Sequence, residues 1–291
     1  EEYLGYLEKE IQQQAKLFAG RTVTQLHWGG GTPTYLSHEQ IIRLMDMLKQ
    51  HFQFSSEGEF SIEIDPREIT LDTLDLLKQV GFNRISLGVQ DFDKRVQEVV
   101  NREQDNDFIR AMIHRAKELG FRSTNLDLIY GLPLQTRESF RHTLEQIAAL
   151  QPDRLSVFNY AHLPARFAGQ HKIKEEQLPS PAEKLAMLQE TIEYLTSQGY
   201  LYIGMDHFAK PDDELAQAQR DGVLHRNFQG YTTQGDCDLL GLGVSAISML
   251  GDAYSQNQKD LNVYYEQVTE LGHAQWKGCA LERDDLIRRD V

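Results

Sequence analysis

One unit repeats along this chain and constrains its fold more than any other feature. A helix-period segment closes on Gly plus an aromatic residue, and a short β-rich run follows. The unit reads "LLKQVGFNRISLGVQ" at 76–90, "RAKELGFRSTNLDLIYG" at 115–131 and "YLTSQGYLYIGMDHF" at 194–208. Gly81, Gly120 and Gly199 stand where a helix C-terminus takes the left-handed conformation. Strand starts fall near residues 22, 59, 84, 122, 154 and 201, with helical segments between several of them. Capping boxes at "SHEQ" from Ser37 and "SPAE" from Ser180 mark two helix starts, the second with Pro at its first position. Strands alternating with helices predict a parallel sheet with right-handed crossovers.

The strand ends narrow the choice. His27 with three glycines, then "EIDP", "GVQDF", "DLIYGLP", "NYAHLP" and "GMDHFAKP" close runs that begin apolar. A doubly wound sheet concentrates such residues at one switch point. Six strand ends carrying them favour a (β/α) barrel, closed or open, with its site at the C-terminal ends. The charged stretch "HKIKEEQLPSP" (171–181) reads as a surface excursion, and after about residue 208 the alternation fades into a smaller C-terminal region. The domain expectation is therefore 1–208 for the barrel and 209–291 for the second region.

Composition excludes several classes. The 291 residues carry a formal net charge of −14 with pI near 5.2, which argues against nucleic acid or an anionic membrane as partner. No apolar run approaches the roughly 18 residues of a membrane span. Two cysteines, Cys237 and Cys279, are too few for a disulfide scaffold, so a reducing cytoplasm is the expected location. The chain opens in a helical pattern without Met and stops in mid-pattern at "DDLIRRDV", which reads as a fragment cut at both ends.

Several residues have both a structural and a functional reading. In "QLHWGGGTPTYLS" three glycines suit a tight turn, or a backbone kept bare for a ligand. Glu63 and Asp65, two apart in "SIEIDP", share one strand face; they form a buried pair satisfied by Arg67, or a ligand site. Gln90 and Asp127 interrupt apolar runs and need partners, among which a ligand is one. Arg102 alone is an ordinary solvated helix-end residue. His27, His162, His207 and His225 invite a metal reading, but no strand carries His-x-His. The GxG in "LLGLGVSAIS" carries no weight unaided.

Taken together and in order, "LHWGGGTPTYL", "EIDPRE", "GVQDFD", "VNREQ", "NLDLIYGLPLQTRESF", "DRLSVFNYAHLP", "GMDHFAKPDDEL" and "HRNFQGYTTQ" cover almost the whole chain. The set resembles the radical S-adenosylmethionine (SAM) enzymes, and within them the oxygen-independent coproporphyrinogen III oxidase (dehydrogenase) family. The resemblance implies a partial (β/α)6 TIM-like barrel with a smaller C-terminal domain, two SAM molecules and a 4Fe-4S cluster. It implies oxidative decarboxylation of two propionates of coproporphyrinogen III to vinyl groups, giving protoporphyrinogen IX in haem synthesis, with an electron donor and an electron acceptor. By the same resemblance Gly30 and Glu63 face the first SAM, with Ile247 packed beside it. Gly31, Thr32, Gln90, Arg102, Asp127 and Ala161 match positions assigned to the second, Asp127 suiting a ribose diol and Arg102 a carboxylate. Arg166 and Arg226 are candidate cations for the four carboxylates of the substrate.

The chain departs from the family at the cluster. The family's Cys-x-x-x-Cys-x-x-Cys loop follows the first barrel strand, and Cys237 and Cys279 cannot replace three close thiolates. The expectation is that the cluster cysteines lie upstream of Glu1, that this polypeptide is inactive alone, and that its barrel has an open edge prone to association. Two rivals remain. One is a haem chaperone of the same barrel type, whose His-Asn-x-x-Tyr-Trp pattern differs from "HRNFQGYTTQ" here. The other is a metal-dependent hydrolase using His27, Asp65, His162 and His207.

Overall fold

The computed structural model describes residues 1–290. The repeating unit folds as expected: α1 (Glu2–Leu17), β1 (Thr22–Trp28), α2 (His38–His51), β2 (Gln53–Ile64), α3 (Leu71–Val80), β3 (Arg84–Gln90) and α4 (Lys94–Val99) come first. Next are α5 (Asn106–Glu118), β4 (Ser123–Tyr130), α6 (Arg137–Leu150), β5 (Arg154–Asn159), α7 (Pro181–Ser197), β6 (Leu201–Gly204) and β7 (His207–Ala209). The remainder holds α8 (Glu214–Asp221), β8 (His225–Asn227), β9 (Gly230–Thr232), β10 (Ile247–Leu250), β11 (Ala253–Asn257), α9 (Leu261–Leu271), β12 (Gln275–Ala280) and α10 (Arg283–Asp290).

Local signals set these boundaries. Ser37 and Ser180 each accept from the backbone N–H three residues on, and the side chains of Gln40 and Glu183 reach back to complete both capping boxes. α3 stops because Gly81 takes φ 117° and its N–H returns to Leu77 and Lys78.

Seven strands make one sheet in the order β1-β2-β3-β4-β5-β7-β6. β2 to β5 run parallel in register, with Glu63 opposite Ser86, Ser86 opposite Asn125, and Asp127 opposite Ser156. The last strand corrects the sequence reading. The segment from residue 201 does not join β5 as a sixth parallel strand. It doubles back at Gly204–Met205–Asp206, so that β7 pairs antiparallel with β5 and separates β6 from it. Met205 takes φ 48° to make the turn, and the Asp206 carbonyl accepts from Val157 N–H at 2.7 Å.

The sheet curls into an open, partial barrel whose two faces differ in chemistry. Ile62, Ile64, Ile85, Leu87, Leu126, Leu128, Leu155 and Val157 are buried on the face covered by helices. The alternate positions Ser61, Glu63, Ser86, Gly88, Gln90, Asn125, Asp127 and Ser156 form the inner face. Parallel barrels ordinarily fill that face with branched apolar residues. Here its lower end is closed by ion pairs instead: Arg84 with Glu59 and Glu214, and Arg154 with Asp213. The functional candidates lie nearer the other end.

Packing groups the described chain into two units: residues 25–35 with 59–235, and residues 1–24 with 36–58 and 236 onward. The second has its own core, in which Leu4, Leu7 and Ile11 of α1, Ile41 and Leu44 of α2, and Tyr264 and Val268 of α9 are buried. Buried among them is Glu10, 1% exposed, which accepts hydrogen bonds from Gly243 N–H, Tyr264 Oη and Asn257 Nδ2 at 2.7–2.8 Å. Among the described residues no helix is long and apolar enough to cross a membrane.

Candidate functional site

The site begins at the end of β1. Gly30 and Gly31 take φ +80° and +67°, and nothing lies within 4 Å of where a Cβ would stand on either. The positive φ angles are those a tight turn needs, and the backbone at both glycines is open at the surface, so the structure is compatible with both readings of "GGGTP". Thr32 follows, its carbonyl accepting from Tyr35 N–H at 3.0 Å. Gly29 is different: a Cβ there would stand 2.4 Å from His27 Nε2 and 2.8 Å from Glu63 Oε1. It is the absence of a side chain at Gly29 that lets His27 and Glu63 meet.

Glu63 anchors this corner. Its Oε2 accepts from Gly30 N–H at 3.1 Å and its Oε1 lies 3.2 Å from His27 Nε2. His27 Nδ1 in turn shares a 2.8 Å hydrogen bond with Ser61 Oγ. The His27 ring, then its charge and the Gly30 N–H, hold the Glu63 carboxyl below its usual range against the opposing effect of burial. An ionised carboxylate, partly open to solvent, therefore faces bare glycine backbone. That arrangement suits the ammonium of a zwitterion.

Gln90, Arg102 and Asp65 meet at the ends of β2 and β3. A β-bulge falls between Gly88 and Gln90, and Gln90 takes φ +65°, rare for a residue with a side chain. A Cβ on Gly88 would stand 3.1 Å from Gln90 Nε2 and 3.5 Å from Arg102 Nη2. Arg102 Nη2 donates to Asp65 Oδ2 at 3.1 Å and to the Gly88 carbonyl at 3.4 Å, while its Nε is buried without a partner. Burial acts to raise the Asp65 carboxyl, but hydrogen bonds from Arg67 and the charges of Arg102 and Arg67 leave it below its usual range. Asp65 thus takes the structural reading, satisfied by arginine. Arg102 keeps donor capacity for a ligand.

Asp127 sits deeper on the inner face. It accepts from Ser86 Oγ at 2.9 Å and Asn125 Nδ2 at 2.8 Å, and Ser156 Oγ donates to Asn125 Oδ1 at 3.2 Å. Burial pushes the carboxyl up against these hydrogen bonds, and the charge of Glu63 pushes the same way. Gly30, Gly31, Thr32, Glu63, Gln90, Arg102 and Asp127 all stand at loops or inner-face positions of this one unit. Ala161 is exposed in the loop after β5, its carbonyl accepting from Gln170 Nε2 at 3.1 Å. Ile247 belongs to the other unit, on β10, with its backbone packed against Gly241.

The inner-face hydroxyls and amides Ser61, Ser86, Asn125 and Ser156 escaped the sequence reading. Their signal was available as period-2 polarity inside the strands, two residues before Glu63, Gly88, Asp127 and Phe158. Of the metal candidates, His27 is engaged by Ser61 and Glu63, and His162 lies 3.3 Å from Tyr160 Oη. Among the described residues no three His, Cys, Asp or Glu side chains gather in a metal-holding group. Cys237 lies 3.6 Å from Thr24 Oγ1 and Cys279 is exposed on β12. Two thiols so placed do not fit a cluster that needs three close thiolates. The open glycine backbone, the Glu63 carboxylate and the unfilled Arg102 donor do fit SAM.

Comparison with known proteins identifies the family of the chain. The radical SAM superfamily profile matches residues 5–147. The oxygen-independent coproporphyrinogen III oxidase of Escherichia coli K12 is 67% identical over 291 residues, covering 100% of this chain and 64% of that protein. The chain thus spans less than two thirds of that relative's length. The protein of the same description from Thermostichus vulcanus is 49% identical over 243 residues, 82% of this chain and 74% of its own. A solved structure of the E. coli coproporphyrinogen III oxidase, described as a radical SAM enzyme, superposes with TM-score 0.98 over 99% of this chain and 67% of that one.

Proposed function

The chain belongs to the oxygen-independent coproporphyrinogen III oxidases of the radical SAM superfamily, and from that premise we propose that it forms the SAM-binding barrel of such an enzyme. The reaction is the conversion of two propionates of coproporphyrinogen III to vinyl groups. Each propionate loses one hydrogen atom from its β-carbon, one carbon dioxide and one electron, which an acceptor takes up. SAM, when bound, supplies the radical that removes the hydrogen atom. The cluster that an electron donor must reduce has no thiolate set among the described residues.

The chain's own residues have assignable tasks. Glu63 holds the ammonium of the first SAM against the Gly30 backbone. For the second SAM, Gly31 and Thr32 offer backbone, Arg102 holds the carboxylate, Asp127 takes the ribose diol, and Gln90 and Ala161 complete the wall. The observation that carries this reading is the pair formed by Gly30 N–H and the ionised Glu63 carboxylate beneath glycine backbone that no side chain covers.

The test uses the anaerobically purified full-length protein with coproporphyrinogen III, SAM and a low-potential reductant. Protoporphyrinogen IX and two carbon dioxide per substrate are expected, and Glu63→Gln should abolish turnover together with SAM binding at its site. A stoichiometric Soret shift on haem titration, without any vinyl product, would make the barrel a haem carrier instead.

A further inference from the structure

Arginines in this acidic chain are nearly all neutralised. Among the described residues fourteen of the eighteen lie within ion-pair distance of a carboxylate. Arg226 is one of the four that do not. Its guanidinium lies 5.8 Å from the centroid of the Tyr231 ring, which meets His207 edge-on at 5.3 Å and 83°. His207 also meets Phe158 edge-on at 6.0 Å and 88°. His207 Nδ1 is buried without a hydrogen-bond partner, and the Tyr231 hydroxyl makes no hydrogen bond among the described residues. A cation, a ring nitrogen and a phenol therefore converge with donor capacity unspent.

Their place in the sheet gives the cluster meaning. His207 pairs with Ser156 of β5, which pairs with Asp127 of β4, so all three point to the inner face. Two strand spacings put His207 roughly 10 Å across that face from Asp127. Backbone without side chains keeps the space: a Cβ on Gly204 would stand 2.5 Å from Tyr231 Oη, and one on Gly230 3.5 Å from His207 Nε2. Beside the cluster, Phe158 and Met205 are 36% and 53% exposed and offer an apolar shelf. The facing charges are Asp206, Arg226 and Arg154; burial, with the two arginines and against Asp206, holds the His207 pKa below its usual value.

We infer that Arg226, His207 and Tyr231 form a carboxylate subsite that takes a propionate of the tetrapyrrole substrate, the shelf of Phe158 and Met205 covering the attached pyrrole. This rests on the proposed function, which supplies a substrate with four carboxylates and a SAM ribose at Asp127. Arg226 is the charged partner; Tyr231 fixes its direction by ring contact, and His207 holds Tyr231. The subsite is a positioning site and takes no part in bond breaking.

The experiment titrates the full-length protein with coproporphyrin III, the stable oxidised tetracarboxylate, by fluorescence, and measures KM and kcat with coproporphyrinogen III. Arg226→Gln should weaken binding about tenfold or more, the loss expected of one charge-assisted hydrogen bond. It should raise KM far more than it lowers kcat, with the thermal midpoint unchanged. Arg226→Lys should recover part of the affinity, and the wild-type salt dependence should flatten in Arg226→Gln because one screened contact is gone. Arg220→Gln should change nothing, since Arg220, on α8, donates to the Pro211 carbonyl and lies outside the cluster. Unchanged affinity and salt dependence in Arg226→Gln, with a wild type that turns the substrate over, would overturn the subsite and leave the function standing. A wild type that neither binds nor turns over the substrate would remove the function, and the subsite with it.

Discussion

The strained turn at Gln90 gives the sharpest prediction, because the structure shows what holds it. Asp91 N–H donates to the Val89 carbonyl at 2.9 Å, two residues back, so Gln90 at φ +65° is the centre of a γ-turn of positive φ. A residue with a side chain in such a region is strained by about 1–3 kcal/mol. One side chain grips both carbonyls that flank the turn: Gln104 Nε2 donates to Val89 O at 2.6 Å and to Asp91 O at 3.2 Å. Gln97 Nε2 adds a second hold on Asp91 O at 2.9 Å, and the Gln97 carbonyl accepts from Arg102 N–H at 2.8 Å. The clamp therefore fixes the backbones of Gln90 and Arg102 together.

Gln104→Ala removes two hydrogen bonds worth about 2 kcal/mol together, the same size as the strain they oppose. The strained conformer then loses up to about thirtyfold in population relative to relaxed ones. If Gln90 and Arg102 hold the second SAM, its affinity should fall about ten- to thirtyfold, while the SAM at Glu63 binds as before. Equilibrium dialysis with labelled SAM on the anaerobic full-length protein separates the two sites by affinity. A purely structural defect would weaken both sites and lower the thermal midpoint by the same route. Two SAM molecules bound with unchanged constants would refute the strain argument; a wild type that binds only one would remove the second site instead.

Gly29→Ala puts a methyl group within 3 Å of both His27 and Glu63, so their contact must break and the Glu63 carboxyl should move up toward its ordinary range. SAM affinity at that site should fall by about tenfold, as expected for loss of a charge-assisted hydrogen bond, whereas Gly169→Ala, with nothing within 4 Å, should be silent in the same titration. Glu10→Ala leaves three buried donors unsatisfied and should cost about 3–5 kcal/mol in urea unfolding. Burial raises the folded Glu10 pKa against its three donors, so its contribution is fullest below the unfolded value of about 4.3 and is lost as pH rises through the raised folded value. The cost of Glu10→Ala should accordingly be larger near pH 4 than near pH 8, and an equal cost at both would contradict the assignment.

What was legible in the sequence was whatever one strand or one helix end decides by itself. The strand ends at Glu63, Gln90 and Asp127, the capping boxes at Ser37 and Ser180 and the glycine at 81 follow from period and local conformation alone. The β6–β7 turn escaped because "GMDHF" contains Gly204 but nothing else that marks a reversal; Met205 takes positive φ under tertiary pairing, where Asp206 O meets Val157 N–H. The Gln104 and Asp91 clamps escaped for a related reason. Asp91 accepts from Gln135 and Thr143, more than forty residues away, and nothing in "GVQDF" announces such partners. Glu10 carries no local signal, since its donors at 243, 257 and 264 become neighbours only after the chain has folded.

The inner face explains why these hidden residues and the visible ones belong to one design. A barrel that fills its interior with branched apolar side chains has no room for a ligand there and must build its site from loops. This sheet keeps serines, an asparagine and glycines at the positions facing inward, so small polar residues leave space, and the cross-strand pairs they make hold Asp127 in place without a charge partner. The missing apolar core has to be offset elsewhere. The face under the helices is continuously buried, and ion pairs of Arg84 and Arg154 close the lower end where no ligand reaches. Polarity along the inner face is thus the physical condition for a deep site, and strand register carries it from Glu63 across Ser86 to Asn125 and from Asp127 across Ser156 to His207.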